Sequence, residues 1–205
     1  LWIESDTFPP AEVGDSVRYL TPSGALSDTA PTTPDAALHY TADPADPVPT
    51  LFGAVIGLET SAQQGPGDLS SLLARQDVLS FATEPLDESL IVDGWVSANL
   101  FITCTAVDTD LSVRLVDHYP DGRIMLLVDG IHRASLRDGY EQRQLLSEGV
   151  VYEVPVTLPP VSVEFVEAPY LARIGTDETV TFHALLTNHT PGPFEGIFSI
   201  TASAG

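Results

Sequence analysis

Serine, histidine and carboxylate side chains are all present in this chain, and together they are the materials of an acyl-transfer centre. That chemistry needs a serine on a sharp strand-to-helix turn, an imidazole in hydrogen-bond reach of it, and an acid that orients the imidazole. No Gly-x-Ser-x-Gly occurs. Ser23, in SGALSD (Ser23–Asp28), lies in a Pro-rich segment with no helical pattern after it. The five histidines, His39, His118, His132, His183 and His189, are scattered, and none stands beside a serine. Triads are defined by geometry and not by chain order, so one assembled in space is the alternative. The expectation is that no residue here is catalytic and that any hydrolysis belongs to another domain or chain.

Metal binding is the second chemistry to weigh. Asp43 with Asp46, Asp108 with Asp110, and Asp117 with His118 and Asp121 are the local oxygen-rich groups. Calcium takes six to eight such oxygens, and loops of sandwich proteins can supply them. None of the groups has a calcium-loop spacing, and Asp before Pro or Gly is a routine turn former. No cofactor is therefore expected; calcium is the one metal with candidates, Asp108, Asp110 and Asp121. Zinc has no His pair at ligand spacing and only one Cys. Cys104 can form no internal disulfide and sits in the apolar register of a strand, the position of a small buried hydrophobe.

Charge limits the partners. The formal net charge is −21, and all eight cations are arginine. Such a surface repels phosphate backbones and anionic membranes, which excludes nucleic acid as a partner class. No apolar run reaches the roughly 18 residues of a membrane span. The acidity suits a solvating surface for high salt or export; the compartment is not assigned. Five of the eight arginines lie between Arg114 and Arg143. Arg114, Arg133 and Arg137 are expected to share a polar sheet face, pairing with the Asp-rich turns. The sharper alternative is a carboxylate-binding or docking patch, because the guanidinium fork matches a carboxylate. Trp95, with Phe101 and Val116 near it, is expected to point away from the core and to form a contact surface.

The elements that must position these residues are strands. From Asp77 onward the apolar period is two. It predicts strands at Val78–Thr83, at Leu90–Cys104, around Leu111–Leu115, at Arg123–Arg133, at Val150–Leu158, at Val161–Phe165, at Val180–Leu186 and at Phe194–Ala202. Pro120-Asp121-Gly122-Arg123 is the turn before the fourth of these. Leu69–Arg75 is expected as one short helical turn. Residues 1–70 are different, rich in Pro, Asp, Ala, Thr and Gly. They are read as an extended arm that buries Trp2, Phe8, Tyr19, Leu20, Leu26, Tyr40, Leu51 and Phe52 one at a time. The expected fold is all-β: a jelly-roll-like two-sheet sandwich over 71–205 with a long Pro-rich N-terminal arm.

Several segments, taken in order, resemble one family. They are DPADPVPTLFG (Asp43–Gly53), DVLSFATEPL (Asp77–Leu86), DTDLSVRLVDHYPDGR (Asp108–Arg123) and GIHRASLRDG (Gly130–Gly139). Together they are similar to the C-terminal, non-catalytic jelly roll of the X-prolyl dipeptidyl aminopeptidase and cocaine-esterase serine hydrolases. The likeness covers about residues 40 to 158, and residues 159–205 diverge from it. In that family a Pro-Thr-x-Gly-Gly turn is usual; here Phe52 replaces one Gly. The resemblance implies packing against an α/β-hydrolase domain, walling its active-site entrance, or oligomerisation with identical subunits. Two other functions stay open: a carbohydrate- or ligand-binding module, and a structural subunit whose arm adds a strand to a neighbour's sheet.

Overall fold

The computed structural model describes residues 5–11, 13–32, 37–54, 64–87 and 90–165, with the backbone of 179–187 and 193–202. Trp2, His189 and residues 55–63 lie outside the described residues.

The described elements are strands and two short 3-10 turns. The strands are β1 (Ser16–Leu20), β2 (Leu26–Ser27), β3 (Leu38–Thr41), β4 (Leu79–Ala82), β5 (Leu90–Gly94) and β6 (Val96–Cys104). They continue with β7 (Asp110–His118), β8 (Ile124–Arg133), β9 (Tyr152–Thr157), β10 (Val161–Phe165), β11 (Thr179–Thr187) and β12 (Pro193–Ala202). The helical turn expected near Leu69–Arg75 is the 3-10 segment Ser70–Ala74. The fold is an all-β antiparallel sandwich. A six-stranded sheet runs β2-β1-β12-β6-β9, with β3 also on β12; a four-stranded sheet runs β4-β11-β7-β8; β5 and β10 form a two-stranded ribbon.

Alternation explains the core. In β6 every second residue, from Val96 through Ala98, Leu100 and Ile102 to Cys104, is buried while the residues between are half-buried. Leu111, Val113 and Leu115 of β7 and Phe81 of β4 face them from the other sheet. Apolar area removed from water between the two layers is the main stabilising term, about 25 cal/mol per Å². The layers meet closely at Gly130 of β8, where a Cβ would lie 2.9 Å from the Thr157 carbonyl oxygen.

Two expectations are corrected in detail. The stretch read as an arm supplies β1, β2 and β3 to the six-stranded sheet, with β1 and β3 following one another along the same strand, β12. The predicted single strand Leu90–Cys104 breaks at Gly94 (φ 149), a conformation open to glycine; β5 then pairs β10 and β6 pairs β12 and β9. The predicted strands of the divergent C-terminal part lie within the sheets: β11 lies between β4 and β7, and β12 pairs with β1, β3 and β6.

A second, smaller core lies on the far face of the four-stranded sheet. Val116, Ile124 and Leu126 pack there against Val48, Leu69 and Leu72, flanked by Leu51, Phe52 and Val78. Asp68 ties this layer down. Its carboxylate accepts from the Ile124 and Ser70 backbone N–H groups (2.9 Å each) and from the Ser70 hydroxyl (3.0 Å). Phe52, where the resembling family has a glycine, holds a left-handed φ of 61. A side chain in that region costs on the order of 1–2 kcal/mol, which its packing against the second core offsets.

Candidate functional site

Opposite residues in an antiparallel pair share a face. On the outer face of the four-stranded sheet this places Ser80, His183, Arg114 and Asp129 in one row across β4, β11, β7 and β8. Serine and imidazole-bearing positions are therefore neighbours. The position on the other side of His183 is Arg114, and Asp129 is a further strand away, roughly 10 Å from His183 at the spacing of two strands. A cation stands where a triad requires its orienting acid. The register thus separates the three residue types that acyl transfer must bring together.

Arg114 is the unusual member of the row. It is only 3% exposed, and its Nε and Nη1 are enclosed without a hydrogen-bond partner among the described residues. Burial lowers its pKa, and the negative charge of Asp129 opposes that shift. The guanidinium stays charged even so, because arginine is not deprotonated in proteins. Asp129 itself lies against the Gly53 turn: a Cβ on Gly53 (φ 89) would sit 3.3 Å from the Asp129 Oδ1. Four residues along β7, the sheet treats a second arginine differently. Arg133 donates from Nε and Nη2 to the two oxygens of Asp110 at 2.6 and 2.7 Å. Those hydrogen bonds raise the pKa of Arg133.

The other expected site residues fall as follows. Arg114 and Arg133 do lie on one face, but Arg114 is covered and Arg133 is occupied, so they offer no open cationic surface. Arg137 is past the end of β8. It donates to the Ala134 and Gln144 carbonyl oxygens at 3.0 and 2.7 Å and stacks 4.4 Å over the Tyr152 ring. It holds the 138–151 loop and does not join the other two. Trp95 is 48% exposed at the break between β5 and β6. Phe101 is half-buried on the side of β6 away from the core. Val116, expected near Trp95, belongs to the second core.

The calcium candidates are engaged within the chain. Asp108 accepts from the Thr109 and Ser135 N–H groups (3.0 Å each) and the Ser135 hydroxyl (2.8 Å). Asp110 holds Arg133. Asp121 accepts from the Arg123 N–H and Nε at 3.1 and 2.8 Å. Among the described residues, no group of three or more His, Cys, Asp or Glu side chains could hold a metal ion. No helix among them is long and apolar enough to cross a membrane. Asp129 and Asp68 were missed from sequence. The alternation of MLLVDGIHR could have put Asp129 on the face of Arg114, but nothing local marks Asp68 as a clamp on β8.

The geometry defines a class: an all-β antiparallel sandwich. The comparisons agree. Residues 1–167 match the X-Pro dipeptidyl-peptidase C-terminal non-catalytic domain, and the chain belongs to that family. The match starts at the first residue, so the stretch expected to be an arm is part of the family's own domain. Cocaine esterase of Rhodococcus sp. (strain MB1 Bresler) is 36% identical over 172 residues, 80% of this chain and 30% of that protein. Two solved structures share the fold. An aminopeptidase from a marine sediment Thaumarchaeota archaeon has TM-score 0.84 at 23% identity, and an α-amino acid ester hydrolase has TM-score 0.76 at 21%. Each covers 98% of this chain, which covers 38% of each of them. The chain thus spans well under half the length of its relatives.

Proposed function

We propose that this chain is an accessory domain that packs against an α/β-hydrolase portion and helps to wall its active-site entrance. The observation that carries this reading is the family match over residues 1–167, to a domain described as non-catalytic. The Ser80–His183–Arg114–Asp129 row supports it, because Arg114 stands beside His183 where an acid is needed. The relatives' extra length supports it too, since the cocaine esterase keeps more than two thirds of its residues outside the match. The test is an assay of simple esters and Xaa-Pro-anilides on the 205-residue chain by itself. No turnover is expected. Turnover abolished by Ser80→Ala, or by any other single serine change in this chain, would overturn the reading.

Trp95 favours a second reading, a ligand-binding module, because a half-exposed indole can stack on a sugar ring. Calorimetry against oligosaccharides separates the two. Heat of binding that disappears in Trp95→Ala would support a ligand; no heat in either protein leaves Trp95 as packing surface.

A further inference from the structure

Four Asp–Gly steps occur in this chain, at Asp93, Asp121, Asp129 and Asp138. Such a step is chemically weak. Glycine has no Cβ to shield its peptide nitrogen, and it tolerates the bent backbone that brings this nitrogen onto the preceding carboxyl carbon. The fold treats the four differently. Asp93 is 4% exposed, and Gly94 is paired with Val161 in the β5–β10 ribbon. Asp129 is half-buried, and Gly130 is paired with Val113 and lies against the Thr157 carbonyl. Both steps are held by their ladders. Asp121–Gly122 is exposed at the tip of the β7–β8 hairpin, but its carboxylate is taken. It accepts from the Arg123 N–H and Nε at 3.1 and 2.8 Å. The backbone bond, then the guanidinium, lowers the pKa of Asp121 and keeps it ionised, and an ionised carboxylate has no leaving group.

Asp138–Gly139 lacks these restraints. It follows the 3-10 turn Ala134–Leu136 at the start of the 138–151 loop, and both residues are exposed. Beyond its two chain neighbours, no atom lies within 4 Å of the point where a Gly139 Cβ would be. Arg137 Nε is 3.7 Å from the Asp138 carboxylate, too far for a hydrogen bond. That guanidinium donates instead to the Ala134 and Gln144 carbonyls. One backbone bond must open, from the Gly139 N–H to the Leu136 carbonyl at 3.0 Å. The Asp121 turn has its equivalent, from Gly122 to Tyr119 at 2.9 Å, so this bond does not distinguish the two.

We propose that Asp138–Gly139 is a site of spontaneous aspartate isomerisation, selected from the four by the fold. The Gly139 peptide nitrogen attacks Cγ of the protonated Asp138 carboxyl. The N–Cγ bond forms, the Cγ–OH bond breaks, and the hydroxyl leaves with the amide proton as water. Water then opens the five-membered imide at either carbonyl. One opening restores aspartate. The other leaves the chain running through the side-chain carbonyl, one carbon longer, with a free α-carboxylate. The added carbon enters the backbone just before Tyr140, whose ring meets His132 edge-on at 5.9 Å. The free α-carboxylate is the group that a methyltransferase of the isoaspartate-repair class esterifies.

The test ages the 205-residue chain at physiological temperature in mildly acidic buffer, native and in urea, and then cuts it with trypsin. Arg114, Arg123, Arg133 and Arg137 put the four steps on four different peptides. Isoaspartate appears as a second chromatographic peak of unchanged mass. In the native chain it is expected at Asp138 at least about tenfold above each other step, because a ladder or a held carboxylate must first open elsewhere. In urea the four are expected to convert at similar rates. Asp138→Glu, which would need a six-membered ring, is expected to abolish the native product. Arg123→Gln is expected to raise conversion at Asp121 several-fold. Native conversion led by Asp121 or by a strand step would overturn the inference. So would no native conversion at Asp138, the same pattern in native and unfolded chains, or an unchanged yield at Asp121 in Arg123→Gln.

Discussion

Arg133 with Asp110 and Arg114 with Asp129 are two arginine–aspartate couples on one face of one sheet, four residues apart along β7. The first is a closed two-point grip at the sheet's end, with Arg133 still partly in water. In the second, Arg114 is enclosed in mid-sheet and Asp129 is half-buried, with no hydrogen bond to Arg114 Nε or Nη1. The residue types are the same, so they do not explain the difference. Position does: β8 ends at Arg133, whereas Arg114 has β11 on one side and β8 on the other. A closed couple is a structural device.

The largest effect is expected at the closed couple. Arg133→Met removes both guanidinium hydrogen bonds to the buried Asp110 and is expected to cost about 2 kcal/mol, discounted from a fully buried pair because Arg133 is partly solvated. Urea unfolding measures it; a loss below about 0.5 kcal/mol would erase the distinction between the two couples.

Asp68 comes next. Asp68→Ala strands the Ile124 and Ser70 N–H groups and is expected to cost about 1–2 kcal/mol. The Ile124 N–H, then that of Ser70, lowers the Asp68 pKa. Its stabilising contribution is therefore present above the unfolded-state carboxylate pKa and is lost as pH falls through the lower folded value. Urea titrations of wild type and Asp68→Asn should converge in acid; a constant gap down to pH 2 would refute the assignment.

Asp117 should behave with the opposite sign. Burial raises its pKa, only partly countered by the Tyr119 hydrogen bond and nearby His118 and Arg123. The folded state then binds the proton more tightly, so its penalty is present at neutral pH and relieved as pH falls below the raised value. Asp117→Asn is expected to stabilise by about 1 kcal/mol or less at pH 7. The gain should vanish in acid, and a loss of stability at pH 7 would contradict it.

The smallest response belongs to the exposed pair. Arg123→Gln removes a contact to Asp121 that is about half in solvent on both sides. No change in urea midpoint is expected, in low or high salt. Sodium chloride should nonetheless raise the midpoint of every variant, because a chain of net charge −21 repels itself and salt screens that repulsion.

Much of this fold was legible in the sequence because two-residue alternation is a local signal. The strands from β4 to β12 were found this way, with β5 and β6 read as one, and the Asp121-Gly122 turn was visible from its residue types; Gly122 takes φ 89 there. β1, β2 and β3 were not. They are short, and the burial of Ser16–Leu20 does not alternate cleanly, since it is set by pairing with β12, almost two hundred residues away in the chain. The site was less legible than the fold. Arg114 stands in a strand where an outward polar residue normally meets water. That it is covered is a matter of tertiary packing, which no strand pattern contains.

The most direct test of the account is sedimentation velocity on an equimolar mixture of this chain and its hydrolase portion, each produced separately. A single faster boundary of one-to-one mass, with hydrolytic activity belonging wholly to the partner, is the predicted result. Two independent boundaries, or ester turnover by the sandwich alone, would contradict it.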